Sequence, residues 1–225
     1  MKKIFTVDEA QEKLYTALAE VTSFKYLKSQ KCLKKVIDNL VFEIDFFSSK
    51  WNKSYEIIDI EVQFVLTNKK YGKERVNNVI AEKSFRPKSG WYDISTQTSW
   101  NKTYNDLKNE FAVIVDLCNR FEEDFLSAIE YLYNELFEDY NVRIDFVTEN
   151  LGISNVKEKI EEIYLSIPLE ERETYKKIRG ELNRKLEMGD LRCLRMDGVK
   201  TWMVNRSNWK YVMDSKLMDI KKEMQ

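Results

Sequence analysis

The chain of 225 residues contains no histidine, and that absence removes more chemistry than any motif present adds. Without an imidazole there is no Ser-His-Asp or Cys-His nucleophilic site, no histidine-ligated metal and no histidine acid–base pair. Proline occurs twice and glycine six times, and neither G-x-x-x-x-G-K-[ST] nor G-x-G-x-x-G can be read anywhere. The phosphate-cradling loops that depend on those glycines are therefore not expected. Cysteine is sparse and odd in number: Cys32, Cys118 and Cys193 lie far apart with no C-x-x-C pair. Such usage fits free, reduced thiols in a cytosol rather than a disulfide framework. No stretch approaches the ~20 apolar residues of a membrane helix. The positive start Met1-Lys2-Lys3 meets Asp8 and Glu9 before any apolar core of signal-peptide length. A cytoplasmic protein with no cofactor and no membrane partner is expected. Neither sign of charge dominates: the net charge is −1, so no global field points to nucleic acid or an acidic surface.

What is present is a core. With 43% hydrophobic and 33% charged residues, a chain of this length can bury roughly 70% of its unfolded surface. Its richness in Lys, Asn, Ile and Tyr reads as an AT-rich genome, that of a low-GC bacterium or its phage. Thr6-Val7-Asp8-Glu9 forms a capping box, and Val7, Ala10, Leu14, Leu18 and Val21 follow at helical spacing to about Phe24. Residues 36–47 and 55–66 alternate, with Ile58, Ile60, Val62, Phe64 and Leu66 on one face, and predict a strand pair joined by the polar loop Ser48 to Ser54. Shorter extended stretches are expected at Val79–Phe85 and Trp91–Ser95. Between Asn105 and Tyr140 the seam Leu107, Phe111, Ile114, Cys118, Phe121, Phe125, Ala128 and Leu132 predicts a long core helix, with a break near Asn119. Val142–Val147 alternates again and predicts a returning strand.

Past Asn150 the composition shifts. Residues 1–149 hold 21 basic against 25 acidic side chains, and residues 150–225 hold 16 against 13. The expected organisation is an α+β domain over 1–149, an antiparallel sheet packed against helices, followed by a small winged-helix-like domain over 150–225. Its parts are a helix from Val156 stopped at Pro168, a helix over Glu170–Glu187 ended by Gly189, a hairpin over Leu191–Val204 turning at Asp197-Gly198, and a final helix from Ser207.

Three constellations carry candidate function. The first is acidic. A turn centred on Trp51 would place Glu43 opposite Asp59, with Asp45 and Glu61 on the same face. Like charges directly opposite destabilise a strand pair, so lysines, solvent or a divalent metal must neutralise them. Asp59-Ile60-Glu61-Val62-Gln63 resembles the carboxylate strand of metal-dependent nucleases ending E-x-K, with Gln63 in place of that lysine. The second is basic. Lys177 and Arg184 lie seven residues apart on one helix face, and Arg195 would sit opposite Lys200 across the Asp197-Gly198 turn, a like-charge pair that a phosphate would relieve. The string Ile178-Arg179-Gly180-Glu181-Leu182-Asn183-Arg184-Lys185-Leu186 looks like a recognition helix, although winged helices also serve as protein-contact modules. The third is aromatic: Trp51 in the polar loop, and Trp91 after Pro87 and Gly90, stand where they either anchor a partner or pack over the sheet edge.

Phe46-Phe47-Ser48-Ser49-Lys50-Trp51-Asn52 leading into an apolar strand, with Trp91-Tyr92-Asp93-Ile94 later, resembles the bacterial domain-of-unknown-function family 4304 over residues 10–135. That resemblance implies an α+β sandwich-like domain of bacterial origin and carries no catalytic residues. The resulting expectation is a non-enzymatic interaction protein whose partner is another protein. The alternatives are a metal-dependent phosphodiesterase on the acidic face, or a DNA-contacting regulator working through the wing.

Overall fold

The computed structural model of the chain describes residues 5–71, 78–88, 90–137 and 139–189, together with Met213, Leu217 and Lys222. The expected wing hairpin, with Cys193, Arg195 and Lys200, lies outside these residues. Of the expected final helix only Met213, Leu217 and Lys222 are described, each helical and Met213 buried. The protein is α+β, built on one antiparallel sheet, and folds as two compact units. One comprises Met1–Tyr71 with Glu82–Glu123; the other comprises Gly72–Ala81 with Asp124–Gln225. The division along the helical region thus falls at Asp124, whereas the charge composition changes at Asn150.

In the first unit, α1 (Val7–Thr22) starts at the expected capping box: the Thr6 hydroxyl accepts from the Glu9 N–H, and the Glu9 carboxylate accepts from the Thr6 N–H. It buries Ala10, Leu14, Tyr15 and Leu18 and ends where Ser23 turns left-handed at φ 57°. The sheet then runs β1 (Lys25–Leu27), β2 (Cys32–Ile37), β3 (Leu40–Ser48), β4 (Asp59–Asn68) and β5 (Val79–Phe85) in spatial order, with β6 (Tyr92–Asp93) also on β4. The predicted apolar face is fully buried: Ile58, just before β4, and Ile60, Val62, Phe64 and Leu66 within it are all at 0% exposure. Such burial contributes ~1.5–3 kcal/mol per large side chain. Phe42 of β3 meets Phe121 edge-on at 5.8 Å, and Phe85 of β5 meets Phe111 at 5.7 Å. Both partners come from α2 (Gln97–Glu123). The Trp100 indole N–H donates to the Ala10 carbonyl at 3.1 Å, tying α2 to α1.

Three expectations are corrected here. Residues 36–47 are not one strand: Asp38-Asn39 make a two-residue turn, Ile37 pairs with Leu40, and Asp38 is left-handed at φ 51°. The long helix begins eight residues before Asn105. It breaks at Asp124 rather than Asn119, because the Asp124 carboxylate accepts from the Leu126 and Ser127 N–H groups and starts α3 (Phe125–Asn134). The predicted strand Val142–Val147 is only β7 (Asn141–Val142), beside β5, and α4 (Ile144–Leu151) follows at once.

The second unit continues with α5 (Ile153–Ser166) and α6 (Leu169–Glu187), each helix packing on the next. As expected, α5 stops before Pro168. The Arg172 guanidinium donates to the Leu165 and Ile167 carbonyls and satisfies that helix end. Gly189 closes α6 at φ 72°. Among the described residues no helix is long and apolar enough to cross a membrane.

Candidate functional site

The acidic face forms with the expected parity and a different register. Glu43 pairs with Val65, Asp45 with Gln63 and Phe47 with Glu61, so every carboxylate on β3 stands six residues from the partner expected for it. Six residues of strand are ~20 Å, which separates Glu43 from Asp59 altogether. The four carboxylates do not converge. Glu61 instead takes the Arg86 guanidinium. Gln63, where a nuclease would hold lysine, donates to Glu82 at 3.3 Å. Asp59 uses its backbone at the start of β4, where its N–H donates to the Asn52 side chain at 2.7 Å.

A different trio does converge on this face. The two-residue turn at Asp38-Asn39 places Cys32 opposite Asp45 and Lys34 opposite Glu43. One ligand atom each from Cys32, Glu43 and Asp45 lie within 4.8 Å of one another. One thiol and two carboxylates make a donor set of mixed softness. The Lys34 ammonium, 3.2 Å from Glu43, already supplies part of the charge a cation would bring. Elsewhere in the fold, burial pushes the Cys118 thiol up to about 11, so it stays protonated and unreactive at neutral pH. Cys32 and Cys118 are both buried thiols, neither of them in a disulfide.

The aromatic candidates are displayed. Between β3 and β4 the chain makes a ten-residue loop rather than a tight turn, and Asn52 holds it. Its side-chain amide donates to the Asp59 carbonyl at 2.9 Å and to the Ser48 hydroxyl at 3.0 Å, while its carbonyl accepts the Asp59 N–H. The Lys53–Ile57 bridge, and bonds from Tyr55 N–H to the Phe5 carbonyl and from Val7 N–H to the Ser54 hydroxyl, brace the loop against the start of α1. On that rigid support Trp51 is 71% exposed and Tyr55 59%, with Phe47 and Ile57 exposed beside them. Pairing of Ile60 with Tyr92 brings Trp91 level with Glu61, itself opposite Phe47. That register puts Trp91, 39% exposed, at the same end of the sheet. Lys50, whose ammonium lies 5.1 Å over the Trp51 ring, adds positive charge, while Lys53 is paired with Glu56 at 3.8 Å. Tyr55, Phe47 and Ile57 were missed from the sequence. The signal for Tyr55 was available, a second aromatic four residues beyond Trp51 in a polar loop.

On α6, Lys177 and Arg184 are exposed on one face, and Gly180 between them meets nothing within 4 Å. Most of their neighbours are neutralised: Lys176 by Glu173, Arg179 by Glu161 and Lys185 by Glu181. With Arg172 turned onto the end of α5, the outward basic character of this helix narrows to two positions ~10 Å apart. No family model matches this chain, and neither does any curated protein or solved structure.

Proposed function

We propose that the chain is a non-enzymatic interaction protein that seats another protein on the aromatic end of its sheet. The observation that supports this reading is the concentration of Phe47, Trp51, Tyr55, Ile57 and Trp91, all exposed, around one braced loop. Isolated exposed apolar side chains are ordinary, but clustered aromatics carry the energy of protein interfaces. Rigidity matters as much as exposure, since a preformed loop loses little entropy on binding. Lys50 and Lys88 on the flanking segments suit a partner whose apolar contact is rimmed by carboxylates. The phosphodiesterase reading loses its support with the four-carboxylate cluster. The duplex-binding reading leans on Arg195 and Lys200, which lie outside the described residues.

The test compares the full chain with its Trp51→Ser/Tyr55→Ser variant as bait in the native host, read by quantitative mass spectrometry. A specific protein should be lost from the variant, and once purified it should bind the parent chain at least tenfold more tightly. An identical set of captured proteins would overturn the reading.

A further inference from the structure

At the aromatic end of the sheet the register sets three side chains in a row across three strands. Phe47 of β3 pairs with Glu61 of β4, and Trp91, one residue before β6, comes level with Glu61 on the far edge of β4. The alternate positions Ile60 and Tyr92 are buried, at 0% and 7% exposure, so Trp91 shares the outer face with Phe47 and Glu61. Phe47 is 44% exposed and Trp91 39%. Two strand spacings separate them, ~10 Å. Between them Glu61 holds the Arg86 guanidinium, whose Nε and Nη2 both donate to one carboxylate oxygen and whose side chain is 61% exposed. That leaves the N–H groups on Nη1 for an acceptor from outside the chain.

A segment crossing this row has to present two apolar contacts ~10 Å apart on one face, with a hydrogen-bond acceptor between them. A β-strand repeats on one face at ~7 and ~13 Å and misses the second ring. An α-helix covers ~10 Å in seven residues, but its carbonyls are used within the helix, and its apolar stripe would bury the ion pair without compensation. A polyproline II helix returns to the same face every three residues, ~9 Å, and its carbonyls make no internal hydrogen bonds. Its prolines would lie on Phe47 and Trp91 while a carbonyl between them accepts from Arg86. Lys50, three residues from Phe47, and Lys88, three residues from Trp91, are exposed and have no carboxylate partner among the described residues. The next row on the same face sets Asp59 opposite Asp93, which disfavours an acid between the prolines. Charge complementarity therefore puts acidic residues at the two ends of the segment.

We propose that this row binds a Pro-x-x-Pro segment with acidic flanks, in the polyproline II conformation, carried by the partner protein. The inference rests on the docking reading above and adds the partner's chemistry to it.

The experiment is calorimetric titration of the full chain with the end-blocked octapeptide Glu-Glu-Pro-Ala-Leu-Pro-Glu-Glu. One control peptide moves the second proline a residue closer to the first, and another replaces every glutamate by lysine. Saturable one-to-one binding is expected for the first peptide, and much weaker binding for both controls. Phe47→Ser and Trp91→Ser should each weaken it roughly tenfold, as truncated interface anchors do. Arg86→Gln should weaken it roughly fivefold, the effect of one hydrogen bond, and reports on the row without touching either ring. No saturable binding, equal affinity for the peptide with the closer prolines, or parental affinity in Phe47→Ser and Trp91→Ser would overturn the proposal. The docking reading is judged separately. A host protein lost from the Trp51→Ser/Tyr55→Ser bait but kept by a Phe47→Ser/Trp91→Ser bait would leave that reading in place and overturn this one.

Discussion

Asn52 shows how one side chain organises this surface. It bonds both backbone groups of Asp59 and reaches Ser48, so one amide ties together the two ends of the loop that carries Trp51 and Tyr55. Asn52→Ala should therefore cost about 2 kcal/mol, since it leaves the partly buried Asp59 N–H without its acceptor, while the Asp59 carbonyl keeps the Ser49 N–H. The measurement is a urea midpoint paired with Trp51 fluorescence quenching. A midpoint within error of the parent's would mean that the loop is braced by α1 alone. At this scale the sequence was informative wherever burial follows from spacing: Cys118 lies on the apolar seam and is buried. It was silent about Tyr15, whose buried hydroxyl has no hydrogen-bond partner among the described residues. A tyrosine on the inner face of an amphipathic helix reads as core, and nothing in its spacing foretells that.

Elements were legible by face and obscure by register. The alternation that marks Ile58 to Leu66 as an inner face survives any shift by an even number of residues, so a six-residue error left every parity intact. It moved every acidic pairing. The cause was the loop between β3 and β4: its pairings centre on Ser54, three residues beyond Trp51, and each residue of displacement moves a pairing by two. A separate miss was Asp38-Asn39, which divides the apolar run from Val36 to Val41 between β2 and β3. Asp and Asn are the non-glycine residues that best tolerate the left-handed conformation the turn requires, and that was the signal available. Asp124 is the comparable case in the helices. One carboxylate accepting two N–H groups divides what periodicity alone presents as a single seam. Asp124→Ala should cost about 1 kcal/mol by loss of the cap to α3. Asp124→Asn, which keeps the acceptor, should recover most of it in the same urea titration. Equal losses for both variants would place the effect in charge rather than in capping.

At the scale of the whole molecule, composition and contacts divide the chain differently. Net charge changes sign at Asn150 because it reports solvated surface, whereas the compact units part at Asp124, where packing decides. A chain with no histidine also has an unusual pH response. No side chain in it has an ordinary pKa near 7, and the upward shifts among the described residues lie in alkali. The buried Cys118 thiol is pushed from its ordinary 9.0 up to about 11 by desolvation, and burial pushes Tyr26 and Tyr92 from 10.0 up to about 12. The Lys35 ammonium, hydrogen-bonded to Glu122, is raised as well. For each of these groups the folded state holds a proton that the unfolded chain has begun to release. Stability therefore falls as pH rises, first between about 9 and 11 for Cys118 and then toward about 12 for the tyrosines. The Cys118 share is on the order of 2 kcal/mol by pH 11. Urea midpoints should hold steady from pH 7 to 8.5 and decline above pH 9. Cys118→Ala, less stable at every pH because of the cavity it leaves, should show a shallower decline between 9 and 11. A midpoint that stays level to pH 11 in the parent, or the same slope in Cys118→Ala, would mean that the thiol ionises in the folded state as readily as in the unfolded one.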